Sequence, residues 1–578
     1  MKRWLFALTG MLLFLAPLKF SVPVNLQSQA VPPTAFIEWV FWSWPNQIGV
    51  MATAVLVFLL AQERSPVPRR GLLGVLPMLF LVTQVIAVPT SICWQTTVDT
   101  LLHFGACVVM FYAASRCARE EHWEPWLLGA LAAATALVCV AALEQQFGGL
   151  DATRRYATAY VDSSRMTEEL QAKLTSKRVF GTLPYPNALA GYLVVVFAPA
   201  LAWLWSKAEG LAPKIIMVVA AGSVMVACLA LSGSRGGFVA LAAGVLAWLM
   251  LRKCSGRQWL WSGVVLAVVL AVSLKGGVVR FGRSSLEARM DYWGGAVRII
   301  RDYPWLGTGP GTFGSIYPKY KTAATEEAQL VHNNFLEMWS DSGVAAFVVF
   351  AALWAVGLWE AVRLARQRGD MVSAALLAAV AAWTVHGLVD FDLYVPGIAW
   401  SAFALLGVVH GLSRPCQPQT NSRRWLQVGV GVGVGVVLWF EVRMFAAAVA
   451  YGKAQMLVGE DRLRAAVAAT WRAPRNPHYW AAVGDAALQL KGSELAVKNY
   501  KNAVDLDPER SARYARLARA YWAMGNQMLA VEALRWAAAL NPTEQVYRQE
   551  LKAAEESVRQ RREQSGKVPP ILRREKLN

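Results

Sequence analysis

Long apolar runs alternate with short polar stretches up to about residue 445, and the alternation then stops. A helix that crosses a bilayer needs about 20 largely apolar residues. Segments of that kind fall at 4–20, 47–62, 71–88, 97–115, 125–146, 187–206, 213–231, 235–251, 259–275, 343–362, 372–389, 394–412 and 425–445. The pattern predicts an all-α, polytopic membrane protein of about 12–13 transmembrane helices. The first segment has a second reading as a cleaved signal, because Lys2-Arg3 precede an apolar core and Ser28-Gln29-Ala30 resembles a cleavage site.

The loops supply the orientation. Arg64-Arg69-Arg70, Arg116-Arg119, Lys207-Lys214, Arg252-Lys253-Arg257, Arg363-Arg366-Arg368 and Arg414-Arg423-Arg424 occupy alternate short loops. Basic loops stay cytoplasmic, so the N-terminus is expected inside. Two longer loops, about 147–186 and about 276–342, then face outward, and the last span carries the C-terminal part of the chain to the same side. Those outer loops are themselves basic: Arg154, Arg155, Arg165, Lys173, Lys177 and Arg178 in one, and Arg280, Arg283, Arg289, Arg298 and Arg301 in the other. Topology does not account for them. They read either as solvated charge balanced by Glu168, Glu169, Glu326 and Glu327, or as an anion-binding surface at the outer membrane boundary.

Beyond residue 446 the sequence becomes that of a soluble helical repeat. Gly492 is followed by Ala496, Tyr500, Ala503 and Pro508, and Gly525 by Ala530, Leu534, Ala537 and Pro542. The offset of about 34 residues is the tetratricopeptide period. A weaker unit ends near Pro477, and 543–563 reads as a capping helix. The expected division is therefore 1–445 for the transmembrane domain, 446–565 for the repeats and 566–578 for a basic tail. Stacked repeats present a concave surface and point to a protein partner. In the last span, Gly429, Gly431, Gly433 and Gly435 give a small-residue stripe that reads as close helix packing or as a plain flexible span.

Composition sharpens this picture at three points. Hydrophobic residues make up 56% of the 578 and charged residues 16%, against roughly a quarter charged in a soluble protein. The net charge of +19 would suggest nucleic acid in a soluble chain. Here it sits in membrane loops, where anionic lipids and lipid-linked phosphates are the fitting partners, and no nucleic acid is expected. The seven cysteines are scattered without a CxxC or Cys/His cluster, so neither a disulfide framework nor a metal site is expected.

Ionisable residues at the rims of spans are candidates for function, because burying charge in lipid is costly. Ser232-Gly233-Ser234-Arg235-Gly236-Gly237-Phe238 interrupts an apolar stretch with a tight turn, in which Arg235 is either functional or snorkelling. Leu286, Met290, Trp293, Val297 and Ile300 recur at helical spacing, so 286–302 is expected to be an amphipathic helix lying on the membrane surface, with Arg289 and Arg298 beside its stripe. The glycine-rich Pro304–Phe313 stops that helix and is no Walker loop, since no Gly-Lys-Ser/Thr follows. His332-Asn333-Asn334-Phe335-Leu336-Glu337 opens the next span, and His386-Gly387-Leu388-Val389-Asp390-Phe391-Asp392 closes a later one. His386 and Asp390 there either line a cavity or pair with a neighbouring arginine.

In this order, these pieces resemble the O-antigen ligase and polymerase family of membrane glycosyltransferases. The matching segments are Arg178-Val179-Phe180-Gly181-Thr182 with Pro186-Asn187-Ala188-Leu189-Ala190, then Gly233-Ser234-Arg235-Gly236-Gly237. They continue with Arg289 and Trp293, Asp302-Tyr303-Pro304-Trp305-Leu306-Gly307-Thr308-Gly309, and His332-Asn333 with Leu336-Glu337. The resemblance covers about 35–412 and implies a GT-C-like helical membrane fold in the bacterial inner membrane. It further implies periplasmic transfer of a glycan from undecaprenyl diphosphate to a lipid A core, a second glycan or a protein, with no metal or other cofactor. Arg235, Arg289 and His332 are the positions it marks as catalytic. Independently, arginine binds phosphate oxygens through a planar, permanently charged fork, and histidine can take a hydroxyl proton. Arg178, Arg298, Asn333, His386 and Asp390 are expected to contact substrate, and Tyr292, Trp293 and Trp305 to stack on sugar or anchor at the interface. The repeat domain departs from the simplest family pattern and leaves the acceptor open, including a protein acceptor. A transporter and a repeat-bearing membrane scaffold are the readings from other classes. No inverted repeat with broken midplane helices supports the first, and the second does not need these rim arginines or His332.

Overall fold

The computed structural model describes residues 2–63, 67–68, 71–151, 176–250, 285–322, 327–417 and 424–566. The expected span 259–275, the loop cations Arg154, Arg155, Arg165, Lys173, Arg280 and Arg283, and the basic tail lie outside the described residues. The chain is all-α and polytopic in character. Eight described helices are long and apolar enough to cross a membrane, and Asn46–Gln62, Arg235–Met250 and Met371–His386 are shorter apolar helices.

The chain divides into two compact units. The first comprises Met1–Ser91, Thr96–Gly311 and Leu330–Phe445. Its helices in chain order are α1 (Lys2–Lys19), α2 (Phe36–Phe41), α3 (Asn46–Gln62), α4 (Leu72–Ile86), α5 (Trp94–Cys117), α6 (Ala130–Glu144), α7 (Pro186–Lys207), α8 (Leu211–Ser232), α9 (Arg235–Met250) and α10 (Ser285–Asp302). After α11 (Phe313–Tyr320), which belongs to the second unit, come α12 (Asn334–Arg368), α13 (Met371–His386), α14 (Pro396–Ser413) and α15 (Arg424–Met456). Helix α13 packs on α9, α7 and α12, and α12 also packs on α4. Helix α1 packs against α6 and α14 and buries Leu5, Leu12, Leu13 and Ala16. It packs there as a member of the bundle. Close approach demands small residues: a Cβ at Gly244 would meet the Ala378 carbonyl at 2.8 Å, and one at Gly397 the Ala16 carbonyl at 2.9 Å. Short basic loops meet at one end of the bundle. Arg116 donates to the Glu63 carbonyl (3.1 Å), Arg119 to the Arg414 carbonyl, and Arg414 pairs with Glu360.

The expected span 343–362 is the second part of a longer element. Helix α12 begins at Asn334 and breaks at Gly343, whose φ is +80°. The glycine-rich Pro304–Gly311 loop fills the break: Val344 N–H donates to the Pro304 carbonyl (3.1 Å) and Gly309 N–H to the Asp341 carbonyl (2.8 Å). Gly307, Gly309 and Gly311 all have positive φ, a region most side chains avoid. This loop is therefore a structural bracket that satisfies the backbone groups freed at the break, and it leaves no open phosphate cradle.

The expectation of a helix over 286–302 holds for α10. Leu286, Met290 and Val297 of the expected stripe are exposed, whereas Tyr292, Ala296, Ile299 and Ile300 are buried, and the helix packs on α12. Helix α10 thus has two apolar faces. One is spent on protein, and the sequence alone does not say which. In α15, a Cβ added at Gly429, Gly431, Gly433 or Gly435 would meet nothing within 4 Å, so no close backbone approach uses that stripe among the described residues.

The second unit comprises Ile92–Gln95, Thr312–Gln329 and Ala446–Asn578. Helices α16 (Gly459–Arg472), α18 (Ser493–Leu506) and α20 (Gln527–Leu540) start 34 residues apart, as do α17 (Pro477–Gln489), α19 (Ser511–Ala523) and α21 (Gln545–Gly566). Ala496, Tyr500 and Ala503 of one repeat and Ala530, Leu534 and Ala537 of the next form the buried contact faces. Asn476 and Asn526 cap α17 and α20 by accepting from His478 N–H (3.0 Å) and Leu529 N–H (3.2 Å). Buried Arg513 holds the preceding turn by donating twice to Asp507, at 3.0 and 2.9 Å.

Candidate functional site

The sharpest side-chain cluster of the first unit forms at the end opposite the basic short loops, around Asp390. Asp390 follows α13 and is 1% exposed. Its Oδ1 accepts from Tyr185 Oη at 3.0 Å and lies 3.2 Å from His332 Nδ1. Its Oδ2 lies 3.5 Å from an Arg289 Nη2. Four remote parts of the chain therefore converge on one carboxylate: the cap of α7, helix α10, the start of α12 and the end of α13.

Each participant is fixed by local structure. His332 has φ +56°, unusual for a residue with a side chain and a form of strain that gathers at functional sites. Asn333 follows as the cap of α12, its Oδ1 accepting from Phe335 N–H (3.0 Å) and Leu336 N–H (3.1 Å). The His332 ring stacks with Tyr292 (centroids 5.6 Å) and meets the edge of Phe391 (4.5 Å). Trp293 Nε1 donates to the His332 carbonyl (3.4 Å). With Nδ1 on Asp390, the ring's Nε2 has no hydrogen-bond partner among the described residues, and the side chain is 22% exposed. A carboxylate on Nδ1 selects the tautomer with a lone pair on Nε2.

Arg178 approaches from the other long loop. Its Nε donates to the Ser232 carbonyl and its Nη2 to Asn187 Oδ1, both at 2.6 Å. The Arg178–Thr182 motif is held by Gln145, whose Oε1 accepts from Phe180 N–H (2.9 Å) and Gly181 N–H (2.8 Å). The Gly233 turn lies against the Arg178 guanidinium: a Cβ there would sit 3.2 Å from Nε. Ser234 caps α9 by accepting from Gly237 N–H (3.2 Å), and this sets Arg235 at the first position of that helix. Arg235 is exposed and makes no hydrogen bond or ion pair among the described residues.

The charges interact. Burial lowers the Arg178 guanidinium from its usual value, Arg289 lowers it further, and Asp390 opposes both. Two cations thus lie within electrostatic range of the buried Asp390 carboxylate. Burial by itself would raise Asp390. The hydrogen bond and charge of His332, followed by Arg289 and His386, outweigh it and hold the carboxyl below the usual carboxylate range. Burial, then Asp390 and Asp392, push the Tyr185 hydroxyl well up, so it stays a donor. A folded-state value below the unfolded one means stability present above the ordinary Asp value of 3.8 and lost as pH falls through the folded value. The difference in Tm between wild type and Asp390→Asn is accordingly expected to narrow as pH falls below about 4, measurable by thermal scans in detergent.

The expected site residues separate into three groups. His332, Arg289 and Asp390 come together, with Arg178 in electrostatic range. Direct substrate contact, expected of His386 and Asp390, does not suit their burial at 0% and 1%. His386 Nδ1 is instead bonded to Asp392 Oδ2 at 2.6 Å. Burial raises Asp392, with His386 opposing. The Asn333 carbonyl oxygen is committed to its cap, and Arg298 lies half-buried about two and a half turns beyond Arg289 on the same helix. Trp305 is exposed. The residue missed altogether is Tyr185; the extended tyrosine ahead of Pro186-Asn187 was its only signal.

Residues 220–351 match the family model described as O-antigen ligase. No curated protein matches the chain. The matched stretch holds Arg235, Arg289, Arg298, His332 and Asn333. It supports, in general terms, an O-antigen ligase-type glycosyltransferase. Arg178, Tyr185, His386 and Asp390 lie outside the matched stretch.

Proposed function

We propose, taking the O-antigen ligase match over residues 220–351 as the premise, that the chain moves a glycan from undecaprenyl diphosphate to an acceptor hydroxyl at the periplasmic face of the bacterial inner membrane, without a metal. The observation that carries this reading is the His332–Asp390–Arg289 network beside Arg178. It combines a base whose free nitrogen is accessible with cations suited to a diphosphate. In the reaction, His332 Nε2 takes the proton of the acceptor hydroxyl as its oxygen bonds to the anomeric carbon. The bond from that carbon to the diphosphate oxygen breaks on the opposite face, and the configuration inverts. Asp390 accepts from Nδ1–H and stabilises the imidazolium. Arg289, Arg178 and Arg235 receive the charge that develops on the leaving diphosphate. Tyr292 and Trp293 hold the loop from which His332 projects.

The 34-residue helix pairs are read as tetratricopeptide repeats on the same face. The acceptor class is decided by product. In a host strain lacking the gene, lipid-linked glycan is expected to accumulate. Loss of all long chains from lipid A marks a ligase, retention of single units a polymerase, and loss confined to a glycoprotein an oligosaccharyltransferase. Unchanged surface and protein glycans would refute the assignment.

A further inference from the structure

The second unit contains more than the repeats. It also takes in Thr312–Gln329 and Ile92–Gln95, two short segments far from the repeats in sequence. The repeats hold both through side chains. Arg510, just ahead of α19, directs Nη1 to the Gly314 carbonyl (3.4 Å), and both terminal nitrogens to Gln329 Oε1 (3.4 and 3.3 Å). Glu509 pairs with Lys319 (3.4 Å). Asn541 Nδ2 donates to Glu327 Oε1 at 2.6 Å. Helix α11 packs on α20, and the Arg475 guanidinium lies 4.7 Å from the ring centre of Trp94. The segment is thus gripped at Gly314, at Lys319 and again at Glu327 and Gln329. Gln329 precedes His332 by only three residues.

We propose that the helical repeat takes a stretch of its own chain as ligand, and that Arg510 is a positioning residue for His332. The proposal rests on the reading of His332 as the base. A histidine held at positive φ needs its flanking backbone fixed, and only Leu330 and Val331 separate Gln329 from His332 in the chain. Misplacement of a reacting group by about 1 Å can cost about a hundredfold, so loosening the segment acts on turnover rather than on donor binding.

Amide hydrogen exchange on the full-length protein in nanodiscs tests the clamp without reference to activity. Arg510→Ala is expected to speed exchange across 312–322 and 327–331 by about tenfold, the scale of a lost hydrogen bond to a charged group. Gln329→Ala removes the same contact from the loop side, leaves every repeat residue intact, and is expected to do likewise. Arg510→Lys should restore part of the protection. In a transfer assay the two alanine variants should lower kcat by about tenfold with the KM for lipid-linked donor unchanged. Unaltered exchange in both variants overturns the clamp, and faster exchange with unaltered kcat overturns the positioning role. If the wild type transfers no glycan, the functional reading falls, and the exchange result still decides the clamp.

Discussion

His332→Ala is expected to lower glycan transfer by about 10²–10⁴-fold, the range for losing a positioned general base, with little change in donor affinity. The structure gives reasons to expect the upper part of that range. The ring is oriented from three sides, by Asp390 at 3.2 Å, by Tyr292 in a stack and by the edge of Phe391, and its backbone is held at φ +56°. Such investment in one imidazole makes sense if Nε2 must meet an acceptor oxygen in one geometry. His332→Gln is the informative companion, since it keeps a polar side chain without a basic nitrogen. It should be about as inactive as alanine if proton removal is the role, and substantially active if orientation alone is required. Single-turnover rates with lipid-linked donor distinguish the two.

The second large effect falls on Arg289. Arg289→Ala is expected to cost about 10²–10³-fold in transfer, comparable with removal of one preorganised stabiliser of developing charge. Two functions are lost together: the cation facing the diphosphate and the partner of the buried Asp390 carboxylate at 3.5 Å. Arg289→Lys restores a charge but not the planar fork, so it should recover stability better than turnover. The pair Arg289→Ala and Asp390→Asn separates the contributions. Asp390→Asn removes the carboxylate that orients His332 while leaving Arg289 available to phosphate. If the two sites act as one unit, the double variant will lose much less than the product of the single losses. Melting curves of the same proteins show whether any loss is merely unfolding.

Much of the fold was legible because lipid imposes a length and a composition on every crossing, and a 34-residue period survives in the sequence of the repeats. Twelve of the thirteen expected spans coincide with described helices; 259–275 is outside the described residues. The break at Gly343 was hidden, because a glycine within an apolar run signals many things and only the Pro304–Gly311 loop shows which. The second apolar face of α10 was overlooked: Tyr292-Ala296-Ile299 is buried against protein, beside a stripe, Leu286-Met290-Val297, that stays exposed. At the site, the residue types were apparent as charge out of place in or beside lipid. Their pairing was not. His332 and Asp390 are 58 residues apart, and Tyr185 and Asp390 are 205 apart, so no local pattern links them. Asp390 was read as one ionisable residue among several rather than as the carboxylate that joins histidine, arginine and tyrosine.

The central claim is that this network transfers glycan from a diphosphate-linked lipid. Its most direct test is transfer by the purified full-length chain in liposomes supplied with undecaprenyl-diphosphate-linked glycan and an acceptor, with chelator present. The account predicts release of undecaprenyl diphosphate in step with product, lowered by about a hundredfold or more in His332→Ala and Arg289→Ala proteins that remain folded at the assay temperature. Full transfer by both variants, or no transfer by wild type with any of the three acceptor classes, would contradict it.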